Sequence, residues 1–190
     1  MGQVIAGMVM SLDGFVQDRD GKTALLYPAF DELIASDLMQ EVIATTGAVA
    51  MGRNSYSMGG DYSAYEFQVP LFILTHTVPT TVAKGASDKL SFTFVTDGVE
   101  SLIRQAKAAA GDKNVLVVGG PNVIQQCLKA GLIDELQIDI SPVLLGDGLR
   151  LFEHLENENI QLEKVNVVEW AGGVTELRFR VLKSTSGLPR

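Results

Sequence analysis

The stretch Val115-Leu116-Val117-Val118-Gly119-Gly120-Pro121-Asn122 ends an apolar run with two glycines and a proline. The run reads as a strand buried on both faces, and Pro121 sits where a first helical residue would. Such a junction leaves unpaired backbone N–H groups at a helix start, with no Cβ to hold a ligand away, which suits a pyrophosphate. A tight turn alone would use the same glycines. Gly52-Arg53 and Thr75-His76 also follow buried strands directly. Parallel strands bring their C-terminal ends to one rim, where α/β sheets bind ligands. Arg53 is a permanent cation with a planar donor fork, and Thr75 and His76 add donors. Together these strand ends predict a bound phosphate ester.

If that ester is a dinucleotide, its type follows from the strand ends. A sheet that prefers NAD presents an acid to the ribose hydroxyls. Leu71–Leu74 ends instead in Thr75-His76-Thr77, which suits a 2′-phosphate, so NADPH is the expected cofactor. Neither G-x-G-x-x-G nor the P-loop spacing occurs. Asp13 lies in the turn after the first strand, beside Gly14, and is either a turn residue or a carboxylate able to hold a substrate N–H or relay a proton. Asp31 and Asp37 on the first helix compete with it, Asp31 being the reserve. Tyr56, Tyr62 and Tyr65 either stack on a ligand ring or pack on the surface. The two histidines and the single Cys127 give no metal-ligand cluster, and no nucleophile sits in a strand–turn–helix elbow.

Alternating strand-like and helix-like segments must position these groups, which predicts an α/β layered domain. Strands are predicted over 3–10, 48–51, 71–74, 92–96 and 115–118. A helix carries Phe30, Leu33, Ile34, Leu38 and Val42, and a second, capped by Asp97, carries Val99, Leu102, Ile103, Ala106 and Ala110. The helix after Pro121 buries Val123, Ile124, Cys127 and Leu128 and ends at Gly131. The strands at 92–96 and 115–118 flank a helix and should be parallel. Residues 53–68 read as a surface excursion with at most a short helix. Past Gly131, segments 136–140, 162–168 and 174–182 alternate apolar and polar residues and read as antiparallel strands at the sheet edge, with a break at Pro142.

At 190 residues the chain suits one domain, taken as 1–183 with a frayed tail over 184–190. Its net charge of −8 argues against a nucleic-acid or acidic-membrane surface, so an anionic ligand must be held by local donors. No apolar run is long enough to span a bilayer and no signal segment is visible, which makes the cytoplasm the expected compartment. A small-molecule substrate is the expected partner.

The motifs 4–7, 11–15, 50–55, 117–120 and 142–148, in that order, resemble the dihydrofolate reductase-like superfamily. The likeness is closest to the reductase domain of the bifunctional riboflavin-biosynthesis deaminase-reductases. It implies a three-layer fold, with a central mixed sheet, mostly parallel and with an antiparallel C-terminal edge, flanked by helices. It also implies NADPH and a homodimer. By this resemblance Ala6 and Gly7 lie against the nicotinamide. Gly52, Arg53, Asn54 and Ser55 meet the phosphates, Thr75 and His76 the 2′-phosphate, and Gly119, Gly120, Asn122 and Val123 the pyrophosphate. The Gly119–Gly120 peptide is expected to be cis. The deaminase's H-x-E and P-C-x-x-C signature is missing, and so is a Trp after the first loop. An NADPH-dependent reductase of a small heterocycle, such as a pterin or aminouracil, and a non-catalytic NADP(H)-binding protein are the two functional classes. A true dihydrofolate reductase is a third and lesser reading.

Overall fold

Residues of alternate parity along the central strands enter two different cores. The computed structural model describes residues 2–155 and 159–182. Its eight-stranded sheet has the order β5-β4-β3-β6-β1-β7-β10-β9, formed by β1 (Val4–Ser11), β3 (Thr46–Gly52), β4 (Leu71–Leu74), β5 (Phe92–Val95), β6 (Asn114–Val117), β7 (Glu135–Ser141), β9 (Gln161–Glu169) and β10 (Thr175–Leu182). Strands β5 through β7 in that order are mutually parallel, and β10 is antiparallel to both β7 and β9. A two-stranded ribbon pairs β2 (Phe15–Asp18) with β8 (Gly148–Arg150).

On one face Ala6, Ala48, Ala50, Val115, Val117, Leu136 and Ile138 pack under α4 (Val99–Ala110) and α5 (Pro121–Lys129). On the other, Val49, Met51, Ile73 and Leu116 pack against Met39, Val42 and Ile43 of α2 (Asp37–Thr45) and Tyr56 of α3 (Arg53–Gly59). Period-two alternation in strands buried on both sides thus builds the three layers.

Several expectations are corrected in detail. The first predicted helix is two, α1 (Phe30–Ala35) and α2, because Ser36 is extended at ψ 148° and its Oγ accepts from the Met39 N–H as the cap of α2. Asp97 does not cap α4; Gly98, at φ +101°, is the residue before it and supplies no side chain. Strand β7 is parallel to β1, so only β10 opposes it. Tyr56 and Tyr62 are not surface residues: both are buried and stacked, ring centroids 5.5 Å apart, with the Tyr62 hydroxyl donating to the Tyr56 carbonyl at 2.9 Å. The tail expected over 184–190 lies outside the described residues.

The helix after Pro121 forms as expected and turns out at Gly131, φ +64°. Its Ile124 is fully buried between α5 and the sheet. Ile124→Ala should therefore cost roughly 2–5 kcal/mol of unfolding free energy, read from urea denaturation midpoints.

Candidate functional site

Two cavities open along the C-terminal ends of the parallel strands, and their walls have opposite chemistry. The larger, about 1210 Å³, runs past Gly52, Arg53, Asn54 and Ser55 after β3, Thr75 and His76 after β4, and Gly120, Asn122 and Val123 after β6. Among the described residues its lining contains Arg53 and His76 and no carboxylate. Helices α3 and α5 both begin at this groove behind a glycine, Gly52 and Gly120, with no capping side chain and no acid in the first turn. Helix starts of this kind carry partial positive charge and unpaired N–H groups.

The groove depends on close backbone approach. The Gly52 N–H donates to the Gly119 carbonyl at 2.7 Å. A Cβ on Gly52 would lie 3.0 Å from Val123 Cγ2, and one on Gly119 would lie 3.1 Å from Ser55 Oγ. Gly119, at φ +116°, excludes other residues in any case, and the Gly119–Gly120 peptide is cis as expected. Nine of the twelve predicted cofactor residues line this groove. Gly119 supports it from beneath, Gly7 lines the smaller cavity, and Ala6 is buried in the core and lines neither. The donor set, the absence of acid and the uncapped helix starts fit a phosphate-rich dinucleotide.

The smaller cavity, about 460 Å³, lies between the sheet and α1–α2. Its walls include Phe30, Leu33, Ile34, Met39, Val42, Met51, Leu116 and Val118. Met8, Tyr27, Ser55 and Val118 line both cavities. At its polar end stand Gln137, Asp139 and Trp170. In register, Gln137 lies beside Gly7 and Asp139 beside Val9, which sets both polar side chains on the cavity face of the sheet. Across the antiparallel pair, Glu176 opposes Asp139 and Arg178 opposes Gln137. Glu176 is fully buried and accepts from Gln137 Nε2 at 2.6 Å and Arg178 Nε at 2.5 Å. Asp139 Oδ1 and Trp170 Nε1 are buried with no hydrogen-bond partner. Burial, then the Glu176 carboxylate, push the Asp139 carboxyl up to about 7, with Arg178 opposing.

The two predicted acids lie elsewhere. Asp13 accepts from Ser11 Oγ at 2.6 Å, the Leu145 N–H at 3.1 Å and the Gly146 N–H at 2.7 Å, and lines neither cavity. The Ser11 hydroxyl, more than the backbone donors, holds it down at about 2, so it braces the loop before β8 as a carboxylate. Asp31 is exposed on α1 and lines neither cavity. Gln137, Asp139 and Trp170, which the sequence patterns did not single out as site candidates, are the polar residues gathered at the polar end of the smaller cavity. Among the described residues no group of three or more His, Cys, Asp or Glu could hold a metal ion, and no helix is long and apolar enough to cross a membrane.

Sheet order, strand-end groove and adjoining cavity form a dihydrofolate reductase-like fold. Residues 3–175 match the RibD C-terminal domain, and the chain belongs to that family. It is 24% identical over 185 residues to the uncharacterized protein YyaP of Bacillus subtilis (strain 168), covering 93% of this chain and 94% of YyaP. The crystal structure of the "Putative riboflavin biosynthesis protein" from Shewanella sp. PV-4 superposes with a TM-score of 0.77 at 26% identity, covering 95% of this chain and 99% of that one. Dihydrofolate reductase from Enterococcus faecalis shares the fold, with a TM-score of 0.64 at 16% identity over 96% of this chain and 98% of its own.

The two carboxylates act in opposite directions on stability. Asp13, lowered from 3.8 to about 2, contributes above its unfolded value and loses that contribution as pH falls toward 2. Asp139 keeps its proton in the folded chain after the unfolded chain has released it, so its contribution is lost as pH rises from 3.8 through about 7. Asp139→Asn should flatten the fall in stability between about pH 4 and about pH 8, and Asp13→Asn the fall below about pH 4, in thermal denaturation across pH.

Proposed function

We propose that the chain is an NADPH-dependent reductase of a small heterocyclic compound. The observation that carries this reading is the shared wall of Met8, Tyr27, Ser55 and Val118, which sets an acid-free, donor-rich groove against an apolar cavity ending in a protonatable carboxyl. In this reading Arg53, Asn54 and Ser55 hold coenzyme phosphates, Thr75 and His76 meet the 2′-phosphate, and Gly120 and Asn122 flank the pyrophosphate. When bound, the reduced nicotinamide supplies a hydride to an unsaturated carbon of the substrate. The protein's share is orientation, exclusion of water and a proton. Asp139, in its acid form, can give that proton to the heteroatom next to the reduced carbon and become a carboxylate, recovering a proton from solvent after product leaves. Family membership supports reduction as the chemistry; the alternative, a non-catalytic NADP(H)-binding protein, keeps the groove and leaves the Asp139 end unused.

Calorimetry with NADPH tests the groove. Arg53→Gln should weaken binding by about ten- to hundredfold, the range expected for losing charge-assisted hydrogen bonds of roughly 1.5–3 kcal/mol. No heat with the wild-type chain would end the proposal. Turnover on a panel of unsaturated heterocycles tests the cavity. Asp139→Asn should lower it about a hundredfold or more with NADPH affinity unchanged, and wild-type turnover should fall above about pH 7 as the carboxyl ionises. Tight NADPH binding with no turnover on any compound would favour the non-catalytic reading.

A further inference from the structure

The Glu176 carboxylate fixes which end of the Gln137 amide meets the smaller cavity. Gln137 sits in mid-strand on β7, between Gly7 of β1 and Arg178 of β10 in register, and lines that cavity. Its Nε2 donates to Glu176 Oε2 at 2.6 Å, and Arg178 Nε donates to Glu176 Oε1. Glu176 is fully buried, so its two oxygens are engaged by side chains and not by solvent. A carboxylate only accepts. Turning the amide over would set two buried acceptors against each other, and an unmade buried hydrogen bond carries the full desolvation penalty. Nitrogen therefore points to Glu176, and oxygen points away from it.

That oxygen is free. Among the described residues, the buried side-chain atoms without a partner are Asp139 Oδ1, Trp170 Nε1 and Arg178 Nη2. Gln137 Oε1 is not one of them, and no described residue donates to it, so it keeps accessible surface. Gln137 is 9% exposed and lines the cavity, so the oxygen opens there. Gly7, its neighbour on β1, lines the cavity too and puts no side chain over it. An acceptor of fixed orientation in an apolar pocket selects a ligand donor, because a ligand acceptor placed there would leave both groups unpaired. Asp139 follows on the same strand face, two residues or roughly 7 Å further along β7.

Resting on the reductase reading above, we infer that Gln137 is a specificity-determining residue and Glu176 its positioning residue: the substrate is a planar heterocycle whose ring N–H is turned to Gln137 Oε1, with the heteroatom that receives the proton toward Asp139. Cyclic amides, imides and ring enamines carry such an N–H beside an unsaturated carbon. Ring esters of the same shape lack it. The selection reads the ring edge alone and is independent of what the ring carries elsewhere.

The probes are matched pairs of planar unsaturated lactams and lactones, identical but for N–H in one and O in the other. They are titrated by calorimetry into the chain with and without saturating NADP+. Each lactam should bind at least about tenfold more tightly than its lactone. Glu176→Gln gives the sharper test. Arg178 Nε then takes the oxygen of the new side chain, whose NH2 group faces Gln137, and the Gln137 amide turns over to present Nε2 to the cavity. The preference should invert, the lactone binding better by about threefold or more. A purely structural role for Glu176 would weaken both members alike and leave their order unchanged. Gln137→Leu should level each pair to within about twofold, and it decides the matter together with the wild-type preference if Glu176→Gln does not fold. Equal binding of the two members by the wild-type chain, no member of any pair binding, or a lactam preference that survives in folded Glu176→Gln would overturn the inference. NADPH calorimetry and turnover on the same compounds separate the two readings. Lactam preference without coenzyme binding sinks the reductase proposal alone, and turnover without preference sinks this one alone.

Discussion

Strands β3 and β6 meet at their C-terminal ends through bare backbone, with the Gly52 N–H on the Gly119 carbonyl, and the rest of the site is arranged around that approach. Side chains there would press on Val123 from one side and Ser55 from the other. Because they are missing, α3 and α5 both start at the same edge, and their uncapped first turns face one groove. Ser55, the third residue of α3, is thereby carried into the wall between the two cavities. The missing Cβ atoms of Gly52 and Gly119, with the positive φ of Gly119, are thus converted into a binding geometry.

Charge is partitioned on the scale of a single wall. With a net charge of −8, the chain as a whole repels anions, yet the groove presents Arg53, His76 and two helix starts with no opposing acid. The cavity behind it carries Asp61, Glu66 and Asp139, and beside it Arg178 donates its Nε to Glu176 while its Nη2 is buried without a partner. Burying Glu176 is tolerable because Gln137 and Arg178 both donate to it, as a desolvated carboxylate requires. Asp139 faces this pair across the strand, and burial first, then the Glu176 carboxylate, push its carboxyl up to about 7.

The parts of this arrangement that were readable in the sequence are those set by local patterns. Continuous apolar runs at Leu71–Leu74 and 115–118 marked strands covered on both faces, and the glycines, Arg53 and the Thr75-His76 pair after such runs marked the rim. Parallel geometry then placed them together, as observed. The acid end was not readable in the same way. Leu136-Gln137-Ile138-Asp139-Ile140 alternates like a strand with one face in water, but register with β1 puts its polar face over the cavity. Trp170 reaches the same place from a turn thirty-one positions later in the chain, a juxtaposition that no spacing announces. Asp13 stands apart from both cavities for a physical reason: its hydrogen bonds close locally, on Ser11 and on the backbone of the loop before β8.

Sharing Met8, Tyr27, Ser55 and Val118 between the two cavities has a thermodynamic corollary. Any adjustment of that partition by one occupant alters the surface offered to the other. Linkage then requires the effect to be reciprocal: whatever factor the first guest imposes on the second's affinity, the second returns in full. The thin divide makes the two compartments thermodynamically one receptor with two halves, whose separate dissociation constants describe it incompletely.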